Sequence, residues 1–169
     1  MRSKQVIWLS MGVLAIALAA PARAADSDVK AVKQAATSFY TALNAMFTGE
    51  LGPMDKVWSH AADVTYMGPT GGFQIGWDQV QAQWQTQADL KLGGKVEPQG
   101  MHITVGKDLA VVQNLEQGEN TNFHGKPEIV SIRATNVFRK ENGQWKMIGH
   151  HTDLFSDPQP TSRTTARAN

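Results

Sequence analysis

Two neighbouring histidines, His150 and His151, precede Asp153 and offer the residue types that proton transfer requires. Adjacent residues of a β-strand point to opposite faces, so the two histidines cannot bind one metal ion without a bulge. His151 and Asp153 share a face, where the carboxylate can fix the imidazole tautomer and raise its basicity. His151 is therefore the candidate general base, with Asp153 as the residue that would orient it. The alternative is an architectural histidine that bonds a polar neighbour such as Asn136.

The hairpin that carries these residues is marked by Asn142-Gly143, which lies between two alternating runs and is a strong signal for a two-residue turn. Uninterrupted pairing from that turn places Phe138 opposite Met147 and Asn136 opposite Gly149. The bulky apolar residues then share one face with Asn136 and His151. We predict that this face looks towards the helices and that its polar members project into a pocket.

Aromatic residues supply the remaining candidates. Tyr66 carries a hydroxyl that could donate a hydrogen bond to a developing enolate, and it completes a predicted catalytic set with His151 and Asp153. Inward-facing tryptophans on helices usually form core, but the wall of an open cavity also needs them. No cofactor is predicted, and the histidine spacings match no metal-ligand motif. The predicted ligand-binding residues are Trp58, Tyr66, Trp77, Trp84, Asn136, Phe138, Met147 and His151.

The elements that position these residues are helices first and strands afterwards. Apolar residues recur every three or four positions over 29–46, a short helix follows at Pro53, and a third helix covers about 77–88. The period then changes to two, which predicts strands at about 101–105, 109–117, 129–140 and 144–154, after an earlier strand over 63–67. Gly68 to Gly72 predicts a turn. Helices followed by an antiparallel meander indicate an α+β domain.

Residues 1–24 predict a cleaved signal peptide. Arg2 and Lys4 precede an apolar run from Val6 to Ala20, and Ala22-Arg23-Ala24 has the small-x-small pattern of a cleavage site. The run is shorter than the roughly 20 residues of a membrane-spanning helix. We predict a periplasmic or secreted protein without membrane attachment after cleavage, and a disordered tail over residues 156–169, which are rich in Pro, Ser, Thr and Arg.

Charge and cysteine content exclude several classes. Loss of the predicted signal peptide leaves 13 Lys and Arg residues against 15 Asp and Glu residues. This balance provides no basic stripe for a nucleic acid partner. The chain contains no cysteine, which excludes thiolate zinc sites and a cysteine nucleophile.

Two segments resemble a known superfamily. Trp58-Ser59-His60 leads through Gly68-Pro69 to Gly76-Trp77, and Asn142-Gly143-Gln144-Trp145-Lys146 leads to His150-His151. This pattern resembles the SnoaL-like and ketosteroid-isomerase-like families of the nuclear transport factor 2-like superfamily, over about residues 28–155. The resemblance implies a cystatin-like cone, in which N-terminal helices pack on a strongly curved, mainly antiparallel sheet around one pocket. It also implies a homodimer, and a single domain over residues 25–155.

Because this superfamily contains enzymes, binding proteins and association domains, the resemblance leaves function open. We expect an exported domain that binds a small, largely apolar molecule. One alternative is a cofactor-independent isomerase, cyclase or dehydratase with His151 as its base; another is a dimeric association domain without catalysis. Ketosteroid isomerase chemistry uses a tyrosine and a protonated acid. Tyr66 is available, but the sequence offers no acid that can be placed opposite it, so steroid isomerisation is not expected.

Overall fold

A computed structural model describes residues 20–121 and 124–155, in which three helices and six strands follow one another. The helices are α1 (Ala20–Met46), α2 (Gly52–Val57) and α3 (Trp77–Leu90). The strands are β1 (Thr65–Gly68), β2 (Gly71–Ile75), β3 (Lys95–Val105), β4 (Leu109–Thr121), β5 (Pro127–Glu141) and β6 (Gln144–Leu154). None of the helices in this part of the chain combines the length and hydrophobicity needed to cross a lipid bilayer.

The strands form one sheet in the order β2-β1-β6-β5-β4-β3. β1 runs parallel to β6, and all other neighbours are antiparallel. The sheet curves around the N-terminal helices, and this confirms the predicted α+β fold. Long, continuous pairing between β4 and β5 from Leu109–Arg139 to Thr121–Pro127 forms the centre of the wall.

The core lies between α1 and the concave face of the sheet. The predicted stripe of α1 is buried, with Phe39 and Met46 fully so, whereas Val29 remains 40% exposed. Phe39 meets Trp84 of α3 edge to face at 6.1 Å between ring centroids. Each fully buried side chain of this size contributes about 1.5–3 kcal/mol to folding, so this contact fixes the two helices against the sheet.

Helix α1 begins earlier than predicted. The apolar periodicity indicates a helix from about residue 29, but the helix extends back to Ala20, through an alanine-rich stretch with high helix propensity. Its first residues therefore overlap the predicted signal peptide, whose residues 1–19 lie outside the described ranges. The signal peptide and the tail over residues 156–169, also outside those ranges, stay predictions.

Two strand boundaries differ from the prediction. The turn after β1 is shorter than Gly68–Gly72, because Gly68 already pairs with Gly71 and the chain continues as β2. β3 begins at Lys95 rather than near 101. A Cβ on Gly118 of β4 would lie 1.9 Å from the carbonyl oxygen of Lys95, so the absence of a side chain there allows the early part of β3 to approach.

A β-bulge at Ile148 interrupts the terminal hairpin. From the turn outward the pairs run as predicted to Phe138–Met147, but the next pair is Val137–Gly149, which leaves Ile148 unmatched. A bulge inserts one extra residue and shifts the alternation beyond it. Asn136 therefore pairs with His150 rather than Gly149, and the inner face of β6 changes at this point.

Candidate functional site

A cavity of about 480 Å³ lies between the helices and the ends of β4, β5 and β6 farthest from the Asn142-Gly143 turn. Its floor is formed by Tyr66, Trp84, Glu116 and His150, which are each at most 4% exposed. Apolar side chains line the walls, among them Leu43 of α1, Phe47 directly after α1, and residues of β5. A concave, mainly apolar site with a few convergent polar groups is the usual form of a small-molecule site.

Glu116 provides the acid at the floor. Alternation along β4 places Ala110, Val112, Asn114 and Glu116 on the buried face, so the apolar stripe of this strand continues into polar residues. Burial raises the pKa of Glu116 to about 7, and a hydrogen bond from Tyr40 partly offsets this increase. A carboxyl group with a pKa near the working pH is well matched to general acid–base catalysis.

Buried polar side chains hold Glu116 in place through Tyr40 of α1. The Tyr40 hydroxyl donates to Glu116 Oε1 at 3.0 Å and accepts from Asn114 Nδ2 at 2.8 Å and Asn136 Nδ2 at 3.2 Å. Asn136 Nδ2 also lies 3.3 Å from Asn114 Oδ1. All four side chains are buried, and burial raises the pKa of Tyr40 well above its usual value. A network in which each polar group has a partner favours one arrangement of the carboxylate.

His150 completes this network from β6. Its Nδ1 lies 2.6 Å from Asn136 Oδ1, an oxygen that can only accept, so Nδ1 carries the proton. Nε2 is then unprotonated and lies 3.8 Å from Glu116 Oε1. Burial lowers the pKa of His150 to about 3, with a smaller contribution from His151. His150 is therefore neutral, with its lone pair towards the carboxyl group.

Tyr66 provides a hydrogen-bond donor at the same floor. Its hydroxyl accepts from Gln87 Nε2 at 2.9 Å, and no acceptor for its own proton exists among the described residues. Its ring lies 5.8 Å from the His150 ring and 4.6 Å from the Trp84 ring. Burial and the nearby Glu116 raise the pKa of Tyr66 to about 12, so it keeps its proton at neutral pH. A Cβ on Gly68 would lie 2.7 Å from this hydroxyl, so glycine leaves room for it.

Two further polar atoms on the cavity lining lack partners in the described part of the chain. These are the indole Nε1 of Trp84, a donor, and the side-chain oxygen Oδ1 of Asn120, an acceptor. Burying such atoms without a partner costs about 1–3 kcal/mol each.

The predicted placement of His151 and Asp153 is wrong. The bulge at Ile148 turns His150 and Thr152 inward, so His151 is exposed on the outer face. Asp153 bonds Arg133 on that same face, and this contact lowers the pKa of the Asp153 carboxyl. The imidazole of the site is therefore His150, and its partner is Asn136 instead of an aspartate.

The other predicted residues lie either at the cavity or elsewhere in the fold. Tyr66 and Trp84 line the cavity as expected, and Asn136 lies behind it as the link between His150 and Tyr40. Trp77 is outside the lining and stacks on His60 at 4.4 Å. The remaining predicted residues are buried core and do not line the cavity: Trp58, Phe138 and Met147.

Sequence reasoning missed Glu116, Tyr40, Asn114 and Asn120. The strand at 109–117 was predicted, and extending its period of two from Val112 would have indicated that Asn114 and Glu116 face inward. Tyr40 neighbours Phe39 of the predicted stripe and belongs to its edge. Within the described ranges, no three His, Asp or Glu side chains are grouped so as to hold a metal ion.

Solved structures with the same fold include a dehydratase candidate of the nuclear transport factor 2-like family from Streptomyces avermitilis. It is 24% identical, with a TM-score of 0.69 over 79% of this chain and 99% of that one. A superfamily protein from Salmonella enterica is 12% identical, with a TM-score of 0.70 over 82% and 98%. A candidate association domain of calcium/calmodulin-dependent protein kinase type II from Thiobacillus denitrificans is 24% identical, with a TM-score of 0.63 over 73% and 94%.

At these identities the similarities establish the fold alone. A comparison with curated proteins gives no significant match. The SnoaL-like domain family, in contrast, matches residues 32–154. This match covers α1 from Val32 to the last residue of β6, and with it every side chain of the cavity floor. The chain therefore belongs to the SnoaL-like domain family.

Proposed function

We propose that the cavity binds a small, largely apolar molecule. We further propose that Glu116 removes a proton from one atom of this molecule and returns it to another, as in a cofactor-independent isomerase or dehydratase. The observation that carries this proposal is the buried carboxyl of Glu116, which lies 3.8 Å from the unprotonated nitrogen of a neutral His150 on a cavity floor. Perturbed titratable groups of this kind concentrate at functional sites. The fold shared with a dehydratase candidate agrees with this class of reaction.

The roles follow from the hydrogen bonds. In its ionised form Glu116 accepts a proton from the carbon next to a substrate carbonyl, and the electron pair of that C–H bond moves towards the carbonyl oxygen. The Tyr66 hydroxyl, which already accepts from Gln87, donates to the developing oxyanion. Tyr40 positions the carboxyl group through its hydrogen bond to Oε1. Return of that proton from Glu116 to another carbon gives isomerisation. Its transfer to a β-hydroxyl, which then leaves as water while the electron pair of the enolate forms the C=C bond, gives dehydration.

Deuterium incorporation next to the carbonyl of 2-tetralone in D2O, followed by NMR, tests this proposal. This bicyclic ketone is small enough for the cavity. We expect the protein to accelerate exchange, and we expect Glu116→Gln to lower the rate by roughly 10²–10⁴-fold, the usual contribution of a general base. The rate should rise with pH through about 7 as Glu116 ionises. Binding of 2-tetralone without exchange above the solvent background would contradict proton transfer.

A binding protein without catalysis is the second candidate. It is favoured by the hydrogen bonds that tie Glu116 and His150 to other side chains, because such bonds can serve architecture alone. Under this alternative Glu116→Gln would leave ligand affinity intact, and neither protein would exchange the ketone. Simultaneous measurement of affinity and exchange on the same samples separates the two candidates.

Export and dimer formation belong to the proposal as well. They are supported by the apolar run and Ala22-Arg23-Ala24 of the sequence and by the family resemblance. Sequencing of the mature N-terminus from a periplasmic extract should start at Ala25, and light scattering should give twice the mass of the mature chain. A start at Met1 would contradict export, and a monomeric mass would contradict dimer formation.

A further inference from the structure

Helix α3 carries glutamines at alternate positions, and one of them faces the cavity. The buried residues Val80, Trp84 and Ala88 mark the inner face of the helix at spacings of four. Residue 87 follows Trp84 by three positions and therefore belongs to the same face. Of the five glutamines only the last lines the cavity; the set is Gln79, Gln81, Gln83, Gln85 and Gln87. A polar side chain on an inner face needs a specific partner.

The partner of Gln87 is the hydroxyl of Tyr66, a residue that lines the same cavity. Gln87 Nε2 lies 2.9 Å from Tyr66 Oη. An amide nitrogen can only donate, so the phenol oxygen accepts in this contact and its own proton points elsewhere. Among the described residues no acceptor takes up that proton. The O–H group of Tyr66 is therefore a donor that a ligand can use.

The orientation of the Gln87 amide decides what Tyr66 can do. Rotation of the amide by half a turn would place Oε1 against Tyr66 Oη, and an amide oxygen can only accept. The phenol would then donate to Gln87 and have no proton left for a ligand. In the observed orientation the amide also strengthens the donor, because a hydrogen bond that Oη accepts polarises the O–H bond.

We propose that Gln87 is a positioning residue: its amide N–H group holds Tyr66 Oη as an acceptor and thereby leaves the phenolic proton for a carbonyl oxygen in the cavity. Gln87 acts through Tyr66 and does not touch the reacting atoms. This inference rests on the proposed function, in which Tyr66 donates to the developing oxyanion, and it adds the residue that controls this donor.

The charges around Tyr66 allow the contribution of Gln87 to be measured. Burial raises the pKa of Tyr66, the hydrogen bond from Gln87 lowers it, and the charge of Glu116 raises it again, with a result of about 12. The pKa of Glu116 is about 7 and that of His150 is about 3, so the first is ionised and the second neutral when Tyr66 titrates. A shift of the Tyr66 midpoint on changing Gln87 therefore reports the hydrogen bond between the two residues.

The ionisation of Tyr66 can be followed separately because the chain contains only two tyrosines, Tyr40 and Tyr66. Incorporation of 3-fluorotyrosine gives each a fluorine NMR resonance and, by making the phenol more acidic, brings its titration to a lower pH. Tyr40→Phe identifies the Tyr66 resonance. Gln87→Met keeps the length of the side chain and removes the donor. We expect it to raise the Tyr66 midpoint by roughly half a pH unit to one unit, the value of one neutral hydrogen bond.

The sign of this shift distinguishes the two orientations of the amide. A donor to Tyr66 Oη stabilises the phenolate, so its removal raises the midpoint, whereas removal of an acceptor of the phenolic proton would lower it. Entry of water around the phenol would lower it as well. The matched control is Gln85→Met, the same substitution on the exposed side of α3. Gln85 donates to Asp89 Oδ1 at 2.8 Å, so its loss should leave the Tyr66 midpoint unchanged.

Deuterium exchange into 2-tetralone gives the functional readout. Gln87→Met should lower kcat about fivefold, the value of one neutral hydrogen bond, and leave KM nearly unchanged. The reason is that a stronger donor at Tyr66 matters most when negative charge develops on the substrate oxygen. Gln85→Met should change neither parameter.

A Tyr66 midpoint that falls or stays constant in Gln87→Met, or that rises equally in Gln85→Met, would overturn the inference. Gln87→Leu repeats the test with a side chain of another shape, so that a folding defect of one variant does not decide it. The fluorine titration requires neither ligand nor turnover. If the midpoint rises and the unmodified protein shows no exchange, the hydrogen-bond role of Gln87 stands and proton transfer fails. If exchange occurs and Gln87→Met alters neither midpoint nor rate, only this inference fails.

Discussion

The two halves of the terminal hairpin, divided by the bulge at Ile148, share one sheet face but differ in chemistry. Near the turn, Phe138, Trp145 and Met147 are buried in the apolar core. Beyond the bulge, Asn136 and His150 are equally buried but polar, and they join the network around Glu116. The same two strands therefore provide packing at one end and hydrogen-bonded chemistry at the other.

This difference shows how a small domain can bury several polar groups. The apolar half stabilises the hairpin by burying large side chains. Each polar group of the other half must find a partner, and Tyr40, Asn114 and Asn136 provide them. Substitutions confined to one half at a time test this division of roles.

The largest effect on stability is expected in the apolar half. Met147→Ala should lower the free energy of unfolding by about 2–5 kcal/mol, because this fully buried side chain leaves a cavity that neighbours fill only in part. Urea unfolding followed by tryptophan fluorescence measures the change. The exposed Leu109→Ala is the control. A loss below about 1 kcal/mol for Met147→Ala would contradict the assignment of this half to packing.

The titratable groups of the polar half should make the stability of the protein depend on pH. The folded-state pKa of Glu116 is raised from 4.5 to about 7, so the folded state retains a proton that the unfolded chain loses, and stability falls between these pH values. The folded-state pKa of His150 is lowered from 6.5 to about 3, so stability rises from pH 3 to 6.5. The two contributions oppose each other between pH 4.5 and 6.5.

Glu116→Gln removes the first contribution and should leave the second. The free energy of unfolding of this variant is then expected to rise by about 3 kcal/mol from pH 4.5 to 6.5, from a change of about 1.4 kcal/mol per pH unit. Urea titrations at several pH values measure the slope. The unmodified protein should be much flatter over this range. A flat profile in the variant would show that His150 is not buried in its neutral form.

A smaller effect is expected from Tyr40→Phe. Loss of the hydroxyl removes a partner from Glu116 and from both asparagine amides, which should lower stability by about 1–3 kcal/mol. The hydrogen bond from Tyr40 lowers the pKa of Glu116, so its loss should also move the midpoint of the pH–rate profile above 7. Tyr66→Phe should instead lower the exchange rate without moving that midpoint upward. An unchanged midpoint in Tyr40→Phe would contradict the positioning role of Tyr40.

The smallest effect is expected outside the cavity. His151→Ala should leave deuterium exchange unchanged and alter stability by less than about 0.5 kcal/mol, since its side chain is exposed. His150→Gln, the matched change on the inner face, should disturb the network through Asn136. Loss of exchange in His151→Ala with activity retained in His150→Gln would overturn the division of the two faces at Ile148.

The sequence was sufficient for the fold because its signals repeat over many residues. The stripe of α1, the change of period after Gly94 and the turn at Asn142-Gly143 each predicted an element that the structure contains. β2 was missed because it is short and glycine-rich, and its residues are half-buried or exposed. Its pairing with β1, rather than its own pattern, makes it a strand.

The site was predicted only in part because it depends on single residues. Tyr66 and Trp84 followed from type and face. The choice between His150 and His151 depended on whether Ile148 has a pairing partner in β5. A bulge of one residue cannot be recognised from the alternation of polar and apolar residues in a strand where both faces carry polar residues. The network around Glu116 needs contacts between residues more than 70 positions apart, such as Tyr40 and Asn114, which periodicity along one element does not contain.

The histidine doublet has a consequence for errors in strand pairing. If β6 slipped by one residue towards the turn, His151 would replace His150 opposite Asn136, and the interior would still receive an imidazole. The slip would also bury the Asp153 carboxylate and remove the partner of Arg133. Burial of an unpaired carboxylate is costly, so Asp153 would disfavour the misalignment that the two histidines would otherwise conceal.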